Sequence, residues 1–433
     1  MLPEHRLAVL LQQVKQHQIS QCLYHWVEKS PSLYCDHLCD KNQFPLSIVH
    51  ELDPHVTPSC QFWFVKFSNN GTMLAGGTNT NHCYIYDVET WDVICTLDAR
   101  DEPNQGTTYV SWSPDDSMLV TCTLNNSAKL WRSDGTLLTT LPHWDQPVTS
   151  CVWLDNNNFI TGSLSKNRSL CQWNLRGEQI YDWRLAARIT GLAISREYLV
   201  AVDYAKHIQV FDIATKQLRY EMDMKMEMTS LNISQDGKAM LVSLKNGLVK
   251  LIDIETREAI RTWTVARAGH FVIRSSFGGA NESFVNSGSE GEFSEQHVIM
   301  SKLSTNISFV DGHIYIWHKD NGSLIAKLEA HSSGCCNSVS WNPTDPCMFA
   351  SGGDDHKIKM YVFPMAKQSL LQSICANNLV DGQIHLSITM EACDAETSSS
   401  VCTWMVGQRT HILISSIARS LENIFGRSIG TSR

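Results

Sequence analysis

The adjacent carboxylates Asp354-Asp355, seventeen histidines and fifteen cysteines are the groups in this 433-residue chain that could hold a metal or move a proton. Either chemistry needs convergence. A structural metal site takes four ligands at short characteristic spacings, and acyl transfer takes a nucleophile with its base and an orienting acid. The spacing supplies neither. Cys35 and Cys39 lie four apart with no second pair to complete a site, and no CxxC occurs. Cys335-Cys336 suit strand alternation better than chelation, and no histidine forms a metal-spaced cluster with cysteine. GxSxG, HExxH, P-loop and GxGxxG motifs are all missing. No acidic or Ser/His set presents itself for hydrolysis, and Asp354-Asp355 read as ties from a tight turn to a neighbouring strand. The expectation is no catalytic residue, no cofactor and no metal.

The elements that must position these residues repeat. Short alternating strands recur as HCYIYDV at 82–88, SAKLWRS at 127–133, SLCQWNL at 169–175 and HIQVFDI at 207–213. They continue as LVKLIDI at 248–254, HIYIWHK at 313–319 and KIKMYVF at 357–363. Their fifth residues are Tyr86, Trp131, Trp173, Phe211, Ile252, Trp317 and Tyr361, spaced 45, 42, 38, 41, 65 and 44 apart, and they read as core packing. Each unit also carries an earlier strand pair around a turn, as in FVKFSNNGTMLAGG and YVSWSPDDSMLVTC; GLAISREYLVAVDY at 191–204 has a shortened turn. Asn-Gly, Asp-Asp and Asp-Gly supply the positive φ or the side-chain-to-backbone bond of a tight turn. Val, Ile, Phe and Trp supply the packing faces. One four-stranded unit cannot bury both faces, whereas seven set radially bury each against the next. The period predicts an all-β, seven-bladed WD40-type β-propeller over 41–363. The seventh unit ends after three strands, so FPLSIVHELDPH at 44–55 is expected to lend the fourth and fasten the ring.

Bulk composition agrees with a globular chain: 43% hydrophobic, 18% charged. A net charge of −9 without a dense Lys/Arg run argues against nucleic acid as partner. The longest apolar runs are too short to span a bilayer, and the polar start MLPEHR is not a signal peptide. Cysteines scattered singly along strands read as buried thiols, the expectation for a chain in a reducing cytosol or nucleus.

Several stretches go beyond a generic repeat. LLQQVKQHQISQCLYHW at 10–26, CDKNQFPL at 39–46, SSFGGANESFVNSGSE at 275–290, YIWHKDNGSLIAKLEAH at 315–331 and CNSVSWNPTDPCMFASGGDD at 336–355 resemble the WD-repeat subunit family of the GID/CTLH ubiquitin-ligase complex. The resemblance covers roughly residues 1–363. It implies a non-catalytic scaffold or substrate receptor that promotes proteasome-dependent degradation. Its partners would be other CTLH-complex subunits, substrate proteins and a second copy of the chain. In that family LisH and CTLH–CRA helices precede the propeller, for dimerisation and docking. Here residues 1–40 hold only a helical remnant, so either those roles are lost or Met1 is an internal methionine of a longer chain.

Residues 4–26 read as a helix with Leu7, Leu10, Leu11, Val14 and Ile19 on one face. It either lies on the propeller's side or is the stump of a partner-binding module. The spacing of 65 falls to the common period if Gly291–Val310 are removed. This inserted loop of blade 6 is either functional or a retained short intron, since Gly291-Glu292-Phe293 and Phe309-Val310-Asp311 admit splice-site codons; poor order is expected either way. The extension 364–433 is poorly structured or partly helical, with Ile414, Ile417, Leu421 and Ile424 at helical spacing.

Partners are expected on the top-face loops, because a propeller's strands are spent on packing. Loops joining second and third strands offer Asn79, Asn125, Lys166, Tyr204, Lys245, Glu290 and Asp355. Loops between blades offer Arg100, Trp144, Arg188, Lys225, His270 and His331, the tryptophan suiting a peptide. An adaptor in another assembly, for signalling or RNA processing, is the alternative function. A propeller hydrolase comes third.

Overall fold

A computed structural model describes residues 6–14 (8 and 12 excepted), 44–54 (45 excepted), 60–98 (81 excepted), 106–142, 145–265, 272–290, 312–331 and 334–362. Strands account for nearly all of it. Seven four-stranded antiparallel sheets follow one another along the chain as the blades of a β-propeller. Blade 1 holds β2–β5 (Phe62–Phe67, Met73–Thr78, His82–Asp87, Val93–Asp98). Blade 2 holds β6–β9 (Thr107–Trp112, Met118–Thr123, Ser127–Arg132, Leu137–Pro142). Blade 3 holds β10–β13 (Val148–Trp153, Asn158–Ser163, Leu170–Asn174, Gln179–Asp182). Blade 4 holds β14–β17 (Ile189–Ile194, Tyr198–Asp203, His207–Asp212, Leu218–Asp223). Blade 5 holds β18–β21 (Met228–Ile233, Ala239–Leu244, Leu248–Asp253, Ala259–Thr264). Blade 6 holds β22–β25 (Ser275–Gly278, Phe284–Ser287, Gly312–His318, Leu324–His331). In each of these the first strand is innermost and the fourth outermost.

Blade 7 has only β26–β28 of its own (Cys336–Trp341, Met348–Gly353, Ile358–Val362). Its outer strand is β1, Ile48–Leu52, antiparallel to β28 with Leu52 opposite Ile358 and Ile48 opposite Tyr361. The segment expected to lend the missing strand does so. Four of its five side chains face outward, so the strand is held by its backbone ladder and by two buried apolar anchors, Leu52 within it and Phe44 before it. Phe44 meets Phe284 edge-on at 5.0 Å and Trp341 at 6.1 Å.

The core lies between blades rather than inside them. Seven apolar clusters occur among the described residues, each shared by two consecutive blades. In one, Phe64 and Ile85 of blade 1 meet Val110, Trp112 and Trp131 of blade 2. The fifth-position residues Tyr86, Trp131, Trp173, Phe211, Ile252, Trp317 and Tyr361 are all buried in these clusters. A blade alone would leave half of each cluster in water, and for that reason the ring is the stable unit. Hydroxyls repeat across the inner joints. Thr108 donates to the Val148 carbonyl (3.0 Å), Thr149 to Ile189 (2.8 Å), Thr229 to Ile273 (2.9 Å) and Ser276 to Val339 (3.1 Å).

The turns between first and second strands show why the Asp and Gly residues are there. Asp115 accepts from Ser113 Oγ (2.7 Å) and Ser117 Oγ (2.9 Å) within its own turn. Asp116, at φ 58°, reaches the neighbouring blade: its carboxylate accepts from Asn69 N, Asn69 Nδ2 and Asn70 N, all at 2.8 Å. We expect Asp116→Ala to cost about 2 kcal/mol, since three donors lose a charged acceptor. Asp116→Gly, which frees the left-handed backbone, should recover only part of that, as read from urea denaturation midpoints.

At the outer rim, the last residue of each third-to-fourth-strand turn has positive φ and backs onto the outer strand of the preceding blade. Where that residue is Gly135, an added Cβ would stand 3.1 Å from Cys95; at Gly177 it would stand 3.0 Å from Thr139 and Leu141. Gly322 of blade 6 has ordinary room against Arg261 and Trp263, and in blades 1, 4 and 5 the residue is long. Lys216 Nζ lies 4.1 Å from the Tyr181 ring, Arg257 lies 4.3 Å from the Tyr220 ring, and Trp91 packs on His50 at 5.1 Å.

Residues 6–14, where described, are helical, with Leu7, Leu10 and Val14 exposed and Leu11 half-buried. Ile19, the inserted Gly291–Val310 and the extension 364–433 lie outside the described residues. On either side of the insertion the hairpin keeps register, Phe284 opposite His318 and Ser287 opposite Tyr315. Nine cysteines are described and all are free thiols, seven buried and two half-buried. Burial pushes the Cys171 thiol up to about 12 and Cys83 further, which makes them packing groups rather than nucleophiles. No helix among the described residues is long and apolar enough to cross a membrane.

Candidate partner-binding face

Antiparallel order puts the loops between second and third strands at the same end of the ring as the connections between blades. Backbone bonds tie the two sets together: Asn79 N to Gln61 O (2.9 Å), Tyr204 N to Arg188 O (2.8 Å), Lys245 N to Glu227 O (2.9 Å) and Asp354 N to Cys335 O (3.1 Å). The face is therefore a firm platform whose side chains divide into two groups.

The first group holds the platform together. Asn79 Oδ1 accepts from Gln61 N at 2.9 Å, and Asn125 Oδ1 accepts from the Thr123 and Ser127 hydroxyls. Glu290 is buried. His331, expected on the accessible rim, is wholly buried, with Nδ1 2.6 Å from Asp355 Oδ1 and Nε2 2.9 Å from Ser351 Oγ. A carboxylate only accepts, so Nδ1 carries the proton of that bond. Burial alone would raise the Asp355 pKa; the hydrogen bond and charge of His331, with Lys359 at 3.4 Å, outweigh it and hold the carboxyl below its usual range. Asp354 accepts from Cys335 N (3.0 Å) and Asn337 Nδ2 (2.8 Å), and Asn337 Nδ2 also reaches the Phe62 carbonyl of blade 1 (3.1 Å). Both aspartates are thus turn-to-strand ties. Ser351, His331 and Asp355 repeat the connectivity of a hydrolytic triad that the spacing did not reveal. Ser351 and His331 have no exposed surface, so no scissile carbonyl reaches the hydroxyl.

The second group is exposed: Lys166 and Arg188, Tyr204 (57% accessible), Lys225 and, half-buried, Lys245. These occupy three consecutive blades, 3 to 5, and comprise four cations and one aromatic ring. Lys225 pairs with Asp223, and Lys245 pairs with Glu227 at 2.7 Å. The hydrogen bond to Glu227 raises the Lys245 pKa and lowers that of Glu227, so both stay charged at neutral pH. Arg100, Trp144 and His270 lie outside the described residues.

Sequence reasoning missed the residue that plugs the ring. Arg274, just before β22, donates Nη2–H to the Thr108 carbonyl of blade 2 at 3.0 Å. Its guanidinium lies 4.9 Å from the Phe64 ring and 5.1 Å from the Tyr109 ring. Around it, Lys66, Asn232 and Ser340 bound a free space of about 30 Å³. That admits a water or two, not a substrate. A charge at the start of an innermost strand was the only available signal, and it does not say how far the side chain reaches. Among the described residues no group of three or more His, Cys, Asp or Glu gathers as metal ligands.

A closed ring of seven four-stranded blades with a filled axis and loop-built faces defines a WD40 propeller. The family described as "WD domain, G-beta repeat" matches residues 93–132, 135–174 and 322–361. "GID complex subunit 7" of Schizosaccharomyces pombe is 32% identical over 371 residues, 83% of this chain and 67% of that one. "WD repeat-containing protein WDS homolog" of Arabidopsis thaliana is 33% identical over 83% of this chain and 66% of its own length. A "WD repeat-containing protein 26 homolog" of the same plant is 28% identical over 88% of this chain and 62% of its own. The chain belongs to the GID/CTLH WD-repeat family, and it spans about two thirds of the length of these relatives.

Proposed function

We propose that this chain is a non-catalytic WD-repeat subunit of a GID/CTLH-type E3 ubiquitin ligase. In that role it holds other subunits or substrate proteins on its top face and so promotes their proteasome-dependent degradation, in the cytoplasm and the nucleus. The observation that carries the reading is its similarity to GID complex subunit 7 along 83% of its length. The structure supports a scaffold rather than an enzyme: Arg274 reaches across to blade 2, the Ser351–His331–Asp355 relay is sealed, and the polar loops carry exposed side chains. The expected partners are other CTLH-complex subunits, substrates and a second copy of this chain. Affinity purification of the tagged chain from its own cells, with mass spectrometry, is expected to recover CTLH-domain proteins and a RING pair. Recovery of a different assembly, for signalling or RNA processing, would replace this reading with that of a general adaptor.

Within the face, Lys166, Arg188, Tyr204, Lys225 and Lys245 are the contacts we assign, with Arg100, Trp144 and His270 in the same set of loops. The combined change Tyr204→Ala with Arg188→Glu is expected to weaken partner capture about tenfold or more, as losing an aromatic anchor and reversing a neighbouring charge would. The thermal midpoint should not move, because both side chains are exposed. Full capture by that variant would clear blades 3 to 5 of the role.

A further inference from the structure

The axis of the ring holds a blind well. Arg274 closes it toward the top face, because it precedes β22 and reaches the Thr108 carbonyl at the start of β6 (3.0 Å). Lys66, one residue before the end of β2, stands near the opposite mouth and is exposed there. The free space that both line is about 30 Å³, the size of a water or a monatomic ion and too small for phosphate.

Three observations give that space a sign. Its lining carries two cations and no carboxylate. Arg274 has five N–H donors, and among the described residues only the one on Thr108 finds an acceptor. The Lys66 ammonium has no ion pair there; the Glu282 carboxylate acts on it through space and is itself taken by the Gln235 backbone N–H at 2.8 Å. Third, the wall supplied by blade 7 holds the buried hydroxyls of Ser338 and Ser340. Their oxygens accept from Val65 N (3.3 Å) and Phe67 N (3.2 Å), and their own protons meet no acceptor among the described residues. Removal from water lowers the pKa of both cations; Glu282 opposes this at Lys66, and Tyr109 and Cys122 oppose it at Arg274.

We propose that the well binds a single halide ion, chloride in the cell, between Lys66 and Arg274, with the Ser338 and Ser340 hydroxyls donating to it. Water, the other occupant of that size, accepts from the same donors but brings no charge to balance two cations. The ion would join blades 6, 7 and 1 around the ring's closure. The site uses none of the top-face side chains and does not depend on membership of a ligase.

The test titrates sodium chloride into the purified full chain held in sodium gluconate, whose anion is too large for the well, at constant ionic strength. The thermal midpoint by tryptophan fluorescence and the chlorine-NMR line width are read together. The midpoint is expected to rise by about 3 °C between about 1 and about 100 mM chloride and then to level off. Lys66→Met keeps the length of an exposed side chain and removes its charge, so it should fold and lose most of that rise together with the excess line width. Lys66→Arg should keep most of both, and so should Lys238→Met, which removes an exposed lysine from a blade 5 turn. An equal rise in wild type and Lys66→Met overturns the proposal, as does a wild type without excess line width. An equal loss in Lys238→Met overturns it too, because only general attraction to surface cations would then be at work.

Discussion

Replacing His331 by alanine will destabilise the ring by about 3 kcal/mol, because it empties a buried site and leaves the Asp355 carboxylate with Lys359 at 3.4 Å but without the imidazole hydrogen bond. His331 has no exposed surface and Asp355 only 7% of its side chain. The imidazole links Asp355, near the blade 7 turn, to Ser351 on β27. Urea denaturation followed by tryptophan fluorescence reads the change. Asp355→Asn should cost less, about 1–2 kcal/mol, because the amide oxygen still accepts from Nδ1 and Lys359 keeps Glu51 at 3.5 Å. The Asp355 carboxyl is held below its usual range, so its contribution is complete above about pH 4 and is lost as the pH falls through the lowered folded value. The wild type should therefore lose stability on acidification from pH 5 to pH 2 more steeply than His331→Ala does. Parallel pH profiles for the two proteins would remove this account of the site.

A chain beginning at residue 54 is the second large effect. It lacks β1, so β28 becomes an open edge, and the burial of Leu52 and Phe44 is lost with the ladder. Summing a buried leucine and phenylalanine with several backbone hydrogen bonds, we expect a loss of at least about 4 kcal/mol. An exposed, mostly apolar edge strand also invites pairing with other chains, so size-exclusion chromatography should show association. A synthetic peptide spanning residues 44–54, added in trans, should restore the monomer by supplying the strand. A truncated chain that stays monomeric with an unchanged denaturation midpoint would mean that the ring is fastened some other way.

The number of blades, their order and the lent strand were legible because each follows from a period that local alternation repeats. Tyr361 ends a blade one strand short, and FPLSIVHELDPH has the alternation to complete it. The turn aspartates were legible too, because a tight turn limits what a side chain two residues away can do; Asp354 behaves as expected. Accessibility was not legible. His331, Glu290 and Asp355 occupy loop and strand-end positions like those of Lys166 or Tyr204, yet they are drawn inward; His331 is held by Asp355 and Ser351, twenty or more residues on, and position in a repeat does not reveal that. Arg274 illustrates the same limit at the axis, where its acceptor on Thr108 belongs to blade 2, three places round the ring.

The rim contacts between blades make the joints unlike one another. At Cys95 and Thr139 the neighbour presents a glycine with little room beside it; at Tyr181 and Tyr220 it presents a cation; at His50 it presents an indole. Keyed in this way, a blade mates less well with a successor whose turn carries a key of another kind. A ring that skipped or duplicated a unit would set a glycine against a tyrosine or a tryptophan against a cysteine. Repeats this alike invite misassembly during folding, and the varied keys discriminate against wrong blade orders that their shared core would otherwise tolerate.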